Sequence, residues 1–336
     1  MFCLPYQSIQ RDFMGYLKDG KWVDQWYNTE KTKGRFQRTQ ATFRHWITRN
    51  PKDRFPAEAK RYHLYVSYAC PWAHRTLIYR AIKGLENIID VSVVDWHMGS
   101  QGWTFIPSEP NNSARDQLYH LQFAHQLYTQ ASPSFTGRVT VPILWDTQER
   151  TIVSNESADI IRMFNTCFDD IGAVPVDYYP KEHQAAIDHW NELIYTTINN
   201  GVYRCGFATT QDAYNEAVKP LFDTLAQLDK MLAKSRFLTG HRPLEADWRL
   251  FTTLIRFDAV YHTHFKCTFK RLIDYPNLWA YARDLFQWPG VARTVHMDHI
   301  CHHYYGSHPT INPTGIVPTR PDMDWYTPHN RNAIGL

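Results

Sequence analysis

One segment constrains the fold of this chain more than any other: Tyr65-Val66-Ser67-Tyr68-Ala69-Cys70-Pro71-Trp72-Ala73-His74-Arg75. An apolar, strand-like run enters Cys-Pro, and apolar residues at helical spacing follow at Leu77, Ile78, Ala81 and Ile82. Proline suits the first helical position, where its missing N–H costs nothing. Cys70 therefore stands at a helix start, where free backbone N–H groups and the positive end of the helix dipole favour a thiolate. Position 73 is alanine, so no second cysteine is placed to close a disulfide locally. The pattern points to one-thiol chemistry completed by an external thiol; the competing reading is a buried structural cysteine.

The elements around this segment give a β-α-β…β-β-α order. A strand is expected over 62–68, then the Cys70 helix to about Gly84, then a buried strand over Ile88–Asp95. A long polar stretch, 97–137, is expected to carry a helix near 113–128. Val139–Asp146 reads as a strand interrupted by Pro142, Thr151–Val153 as a short strand, and Ser157 opens a helix to 165. That order describes an α/β thioredoxin-like domain. Beyond residue 180 the pattern is helical, with expected helices at 182–198, 211–234, 246–262 and 275–287; Ala217, Leu221, Leu225, Leu228 and Leu232 form one stripe. The expected organisation is an N-terminal extension wrapping the first domain (1–60), the thioredoxin-like domain (61–165), a linker (166–180), an all-α C-terminal domain (181–310) and an extended, proline-rich tail (311–336).

At 336 residues the chain can bury two sizeable cores. A net charge of +3 does not suggest a nucleic-acid partner. The six cysteines (Cys3, Cys70, Cys167, Cys205, Cys267 and Cys301) are scattered without a CxxC pair, which suits a reducing compartment. The opening Met1-Phe2-Cys3-Leu4-Pro5 lacks a signal-peptide core. No apolar run approaches the ~20 residues of a membrane span. A cytoplasmic location is the expectation.

Two further motifs carry chemistry. A cis Val141–Pro142 bond would expose the N–H and C=O of Val141 near Cys70, where an extended thiol peptide could pair with them as an added strand. An ordinary edge-strand proline is the other reading. Ser154-Asn155-Glu156-Ser157 opens a second helix; its N–H groups and hydroxyls suit a carboxylate and Glu156 suits an ammonium, the two charges of a γ-glutamyl group. Simple helix capping is the alternative. With the lone thiol, this makes glutathione the expected external thiol. His296, His299, Cys301, His302 and His303 crowd one segment, and His299 and His303 would share a helical face. No acidic or cysteine partner at ligand spacing completes a site, so a solvated or partner-facing histidine cluster is expected and no metal.

Taken together, the chain resembles the glutathione transferase superfamily, and within it the xi class, the glutathionyl-hydroquinone reductases. The resemblance covers about residues 20–320. It rests on Cys70–Arg75, Gly102-Trp103-Thr104-Phe105, Gly137–Pro142, Ile152–Ser157, Asn200-Gly201-Val202-Tyr203, Phe257–Tyr261, His303-Tyr304-Tyr305 and Ile311–Pro318. It implies a glutathione transferase fold and a reaction of a glutathionyl-hydroquinone with glutathione, giving hydroquinone and glutathione disulfide through a mixed disulfide on Cys70. By that resemblance Trp103, Arg138, Val139, Thr140, Val141, Glu156 and Ser157 hold glutathione. Tyr203 would donate the proton, while Tyr261 and Tyr304 would help stabilise the thiolate. A homodimer is implied.

The chain departs from the superfamily at Leu244, where a Ser or Thr usually caps the helix before Asp247, so that cap bond is expected to be lost or replaced. Cys301 and His302 make the stretch before Tyr304 less basic than the family pattern. Two other readings remain open: an omega-like dehydroascorbate or disulfide reductase, which shares Cys70 and the glutathione site but has no need for three tyrosines, and a non-enzymatic binding module built on the transferase fold.

Overall fold

The computed structural model describes residues 15–110 and 112–334. Met1–Pro5 and Cys3, read above for targeting and redox chemistry, lie outside the described residues. The strands are β1 (Tyr16–Lys18), β2 (Lys21–Val23), β3 (Tyr62–Val66), β4 (Asp90–Val93), β5 (Gly137–Arg138), β6 (Ile143–Asp146) and β7 (Thr151–Ser154). The helices are α1 (Pro71–Ile82), α2 (His125–Ala131), α3 (Ser157–Thr166), α4 (Gln184–Ile194), α5 (Gly201–Gly206), α6 (Gln211–Leu232), α7 (Glu245–Leu254), α8 (Pro276–Phe286) and α9 (Met297–Gly306).

A four-stranded sheet in the order β4-β3-β6-β7 organises the first half, with β3 and β4 parallel and the other pairs antiparallel. All five residues of β3 are buried, as a strand covered on both faces requires. Helices α1 and α3 pack side by side, α3 against β7, and α1 also touches α7, joining this half to the helical one. Residues 43–45 run beside β7: His45 N–H donates to Val153 O (2.9 Å) and Asn155 N–H to Phe43 O (3.2 Å). They cover a sheet edge that would otherwise present unpaired backbone.

The structure differs from the expected elements in four places. No strand runs through Pro142: β6 begins at Ile143, while Gly137–Arg138 pair with β1 in a separate sheet of order β2-β1-β5. The helix expected over 113–128 is confined to α2. The Asp116 carboxylate accepts the N–H groups of Leu118, Tyr119 and Leu121, and local side-chain bonds of this kind compete with a helix. The helix expected at 182–198 gives way after Ile194 to a π turn, Tyr195–Asn199, before α5. The one expected at 246–262 ends at Leu254, and a second π turn, Phe257–Tyr261, follows. Both π turns stand beside tyrosines of the site, where such bulges often occur.

Among the described residues no helix is long and apolar enough to cross a membrane. The tail after Thr310 is mostly irregular but docked. Arg331 is buried and donates to Leu232 O (3.0 Å), Ser235 O (2.7 Å) and Arg236 O (2.9 Å), carbonyls at the end of α6. Trp325 packs edge-on against Trp279, ring centres 4.6 Å apart.

Candidate active site

Cys70 is the N-cap of α1 and Pro71 its first residue. The peptide Val141–Pro142 is cis, and the Cys70 Sγ donates to Val141 O at 3.5 Å. The thiol is 9 % exposed. Burial pushes its pKa up, while the N–H groups of Ala73 and Trp72 and the guanidinium groups of Arg256 and Arg38 pull it down. Here the sequence reading is corrected: the helix start does supply N–H groups to the sulfur, but desolvation outweighs them in this closed arrangement.

A cavity of about 460 Å³ opens beside this corner. Of the residues expected to hold glutathione, Arg138, Thr140, Val141, Glu156 and Ser157 line it; Trp103 and Val139 do not. Glu156 caps α3, one carboxylate oxygen accepting Ala158 N–H at 3.0 Å, so capping and cavity lining coincide in one side chain. The loop before Pro142 is held by Tyr128, whose hydroxyl donates to Thr140 O (2.9 Å), accepts Thr140 N–H (3.2 Å) and accepts from Asn155 Nδ2 (3.0 Å). Trp103 instead stacks on His303, ring centres 4.8 Å apart.

The three tyrosines meet. Tyr203 and Tyr304 hydroxyls lie 2.5 Å apart, and Tyr304 and Tyr261 hydroxyls 3.1 Å apart, forming a row deep between α5, α9 and the second π turn. Burial and the nearby Cys70 raise Tyr203 to about 12, opposed by Arg38, so it carries its proton at neutral pH. Burial also raises Tyr304 and Tyr261 well above the ordinary range. Cys70 acts on the titration of Tyr203; the groups acting on Tyr261 and Tyr304 are chiefly the other tyrosines and Arg256.

Several site residues gave little signal in the sequence. Arg256 is fully buried and donates to Ala69 O (2.9 Å), Tyr68 O (3.2 Å) and Thr252 O (2.8 Å), with its other contact to His74 Nδ1 at 3.0 Å. It ties the loop before Cys70 to the helical half. Arg75, also buried, donates to Asn199 Oδ1 (2.8 Å) and Ser157 Oγ (3.3 Å), and burial lowers its pKa to about 9. Arg75 lay in the Cys70 motif, but nothing in a linear pattern says that its guanidinium reaches α3. Arg38 comes from the N-terminal segment, its guanidinium 4.6 Å from the Trp72 ring and 5.0 Å from that of Tyr203.

Among the described residues the histidine cluster forms no group able to hold a metal, and it is only partly solvated, through His296 and His302. His299 and His303 are buried, and both are held neutral chiefly by burial, His299 near 4. His296 stacks on Tyr68 at 3.6 Å, His302 stacks on Trp96 at 4.9 Å, and His303 Nδ1 lies 2.8 Å from Trp96 O. The cluster is aromatic packing between α9 and the thiol-bearing half.

The family models of the glutathione S-transferase N-terminal and C-terminal domains match residues 69–167 and 211–284. The chain is 55% identical to glutathionyl-hydroquinone reductase YqjG of Escherichia coli (strain K12), across 95% of this chain and 99% of that one. It is 52% identical to glutathionyl-hydroquinone reductase PcpF of Sphingobium chlorophenolicum, across 92% and 96%. The glutathione-bound structure of YqjG superposes with a TM-score of 0.86 at 51% identity over 95% of this chain and 99% of that one. The Xi class transferase of Natrialba magadii gives 0.88 at 49% identity over 95% and 97%. With such likeness running through both the sheet and the helical half, the chain belongs to the xi class of the glutathione transferase superfamily, the class of the glutathionyl-hydroquinone reductases.

Proposed function

We propose that the protein reduces S-glutathionyl-hydroquinones with glutathione, with residues 61–165 holding the tripeptide and 181–310 the aromatic acceptor. The observation that carries this reading is the hydrogen-bonded row Tyr203–Tyr304–Tyr261, whose Tyr203 end interacts electrostatically with the buried Cys70. A disulfide or dehydroascorbate reductase needs the thiol alone. Cleaving a carbon–sulfur bond also needs an acid. Tyr203, protonated at neutral pH, places a proton on the sulfur-bearing ring carbon while a ring hydroxyl gives its own proton to water, so the ring is held as the ketone. The Cys70 thiolate attacks the glutathione sulfur, so the S–S bond forms as the C–S bond breaks and the electron pair returns to the ring oxygen as a phenolate. A second glutathione thiolate then attacks the mixed disulfide, releasing glutathione disulfide and restoring Cys70. Glu156, Ser157 and Arg75 receive the γ-glutamyl end at the start of α3, and the Val141 backbone receives the peptide; Trp103, behind His303, supports that wall. No step calls on a metal.

We infer a homodimer in the cytoplasm. The class resemblance supports the dimer, and the free thiols of Cys70, Cys167, Cys205, Cys267 and Cys301 suit a reducing compartment. Light scattering of the purified protein tests the dimer. For the activity, the protein is treated with a glutathionyl-hydroquinone and analysed by intact mass. A glutathione adduct on Cys70 with release of free hydroquinone is expected, and none with Cys70→Ser. Turnover by the serine variant near that of the parent would overturn the mechanism.

A further inference from the structure

Four guanidinium groups line the cavity, those of Arg38, Arg75, Arg138 and Arg249. Three are engaged by the protein itself. Arg75 serves Asn199 and Ser157, Arg138 donates to Gln25 O at 2.8 Å, and Arg249 donates to Glu245 Oε1 at 3.2 Å. Among the described residues Arg38 has neither an ion pair nor a hydrogen bond, and its Nε is shielded from solvent without an acceptor. A guanidinium held this way lacks the anion that would complete it. Its position says where that anion lies. Stacked over Trp72 and the Tyr203 ring, it sits at the reacting end of the cavity, next to the helix that carries the thiol and beside the proposed acid, whereas Glu156 and Ser157 stand at the start of α3.

Resting on the reductase reading, we propose that Arg38 binds the phenolate oxygen of the departing hydroquinone and sets the enzyme's preference among acceptors by their acidity. When Cys70 takes the glutathionyl sulfur, the C–S electron pair moves through the ring to the carbonyl oxygen of the ketonised substrate. That oxygen becomes an anion as the aromatic ring re-forms, and it is later protonated by water. A fixed cation aimed at this oxygen stabilises the transition state more than the neutral substrate. A mixed disulfide between glutathione and an alkyl thiol develops no such oxygen charge. Arg38 therefore separates the two chemistries that Cys70 supports.

The test compares Arg38→Gln and Arg38→Lys with the parent protein on glutathionyl conjugates of methylated and chlorinated hydroquinones, and on the mixed disulfide of glutathione with 2-mercaptoethanol. Arg38→Gln is expected to lose about 10²-fold in kcat/KM on the methylated conjugate, the scale of one oxyanion partner. The loss shrinks on the chlorinated conjugate, whose phenolate needs less help. Mixed-disulfide reduction, which shares only the Cys70 thiolate that Arg38 helps to hold, falls clearly less than cleavage of either conjugate, and Arg38→Lys, which keeps the charge, recovers part of both losses. Equal losses on all three substrates, a raised KM for glutathione with kcat unchanged, or no loss anywhere would each overturn the proposal. Failure of the parent protein itself on every conjugate would instead remove the reductase reading.

Discussion

At Cys70 desolvation pulls against the helix N–H groups and the nearby cations, of which Arg256 acts most strongly. Removing that cation leaves burial less opposed. Arg256→Met is therefore expected to shift the pH midpoint of Cys70 alkylation upward by about one unit, roughly 1.4 kcal/mol, with Arg256→Lys between the two. An unmoved midpoint would show that Arg256 only ties the Ala69 carbonyl in place. Tyr203→Phe removes the proton but keeps the ring. It should slow thioether cleavage by about 10²–10⁴-fold and change mixed-disulfide reduction far less, measured as kcat on the two substrates. At this scale the sequence was most informative where chemistry is local: Cys-Pro can be read within a few residues, and the same span offers cis Val141–Pro142 and Glu156 each as one of two readings. Arg38, Arg75 and Arg256 cannot, because each acts through partners that are near only after folding.

Among the elements, α7 shows how one missing cap is compensated. Leu244 has no side-chain oxygen, but Asp247 accepts the N–H groups of Leu244 (2.8 Å) and Leu238 (2.9 Å) and the Tyr281 hydroxyl (2.7 Å). The side-chain bond that a Ser or Thr would take from Asp247 N–H is replaced by a backbone one to Leu244 O (3.1 Å), while Asp247 keeps the reciprocal half of the box. Burial raises Asp247 to about 6 against those three donors. An acid with a raised folded pKa contributes stability below its unfolded pKa, near 4, and loses it as pH rises through the folded value. The stability of the parent protein relative to Asp247→Asn should accordingly fall by about 2 kcal/mol between pH 4 and pH 6, followed by urea unfolding. Asp247→Ala should cost roughly 1–3 kcal/mol at pH 4 by orphaning buried donors, and less as pH rises through the folded value. Helices α6 and α8 could be read nearly to their ends because their stripes are regular. The helices broken at Tyr195 and Phe257 could not, since a π turn adds a residue to the backbone without disturbing the apolar spacing enough to show.

Across the whole molecule the two halves are joined by buried charge. Glu245 of α7 binds Arg162 of α3 (3.0 Å), Asn191 of α4 (2.9 Å) and Arg249 (3.2 Å). Glu245→Ala leaves Arg162 with Asp188 alone (2.8 Å) and strips Asn191 and Arg249 of their shared acceptor, and should cost roughly 1–3 kcal/mol in denaturant unfolding. A loss under 1 kcal/mol would mean that water replaces the carboxylate. The tail gives a second long-range tie. Arg331→Ala should lower the thermal midpoint by several degrees, since three carbonyls at the end of α6 lose their shared donor. The N-terminal segment beside β7 and the docked tail were visible in sequence only as irregular segments. Their places depend on surfaces built elsewhere in the chain. The tyrosine row has the same long-range character, and this matters while the protein is being made. Cys70 leaves the ribosome well before Tyr203, Tyr261 and Tyr304, so a growing chain exposes a reactive thiol with no acid, no row and no Arg256 beside it. During that interval the thiol is open to capture by glutathione disulfide or peroxide, and a freshly translated molecule can begin its life already glutathionylated, at the one position where its own catalytic cycle removes the adduct.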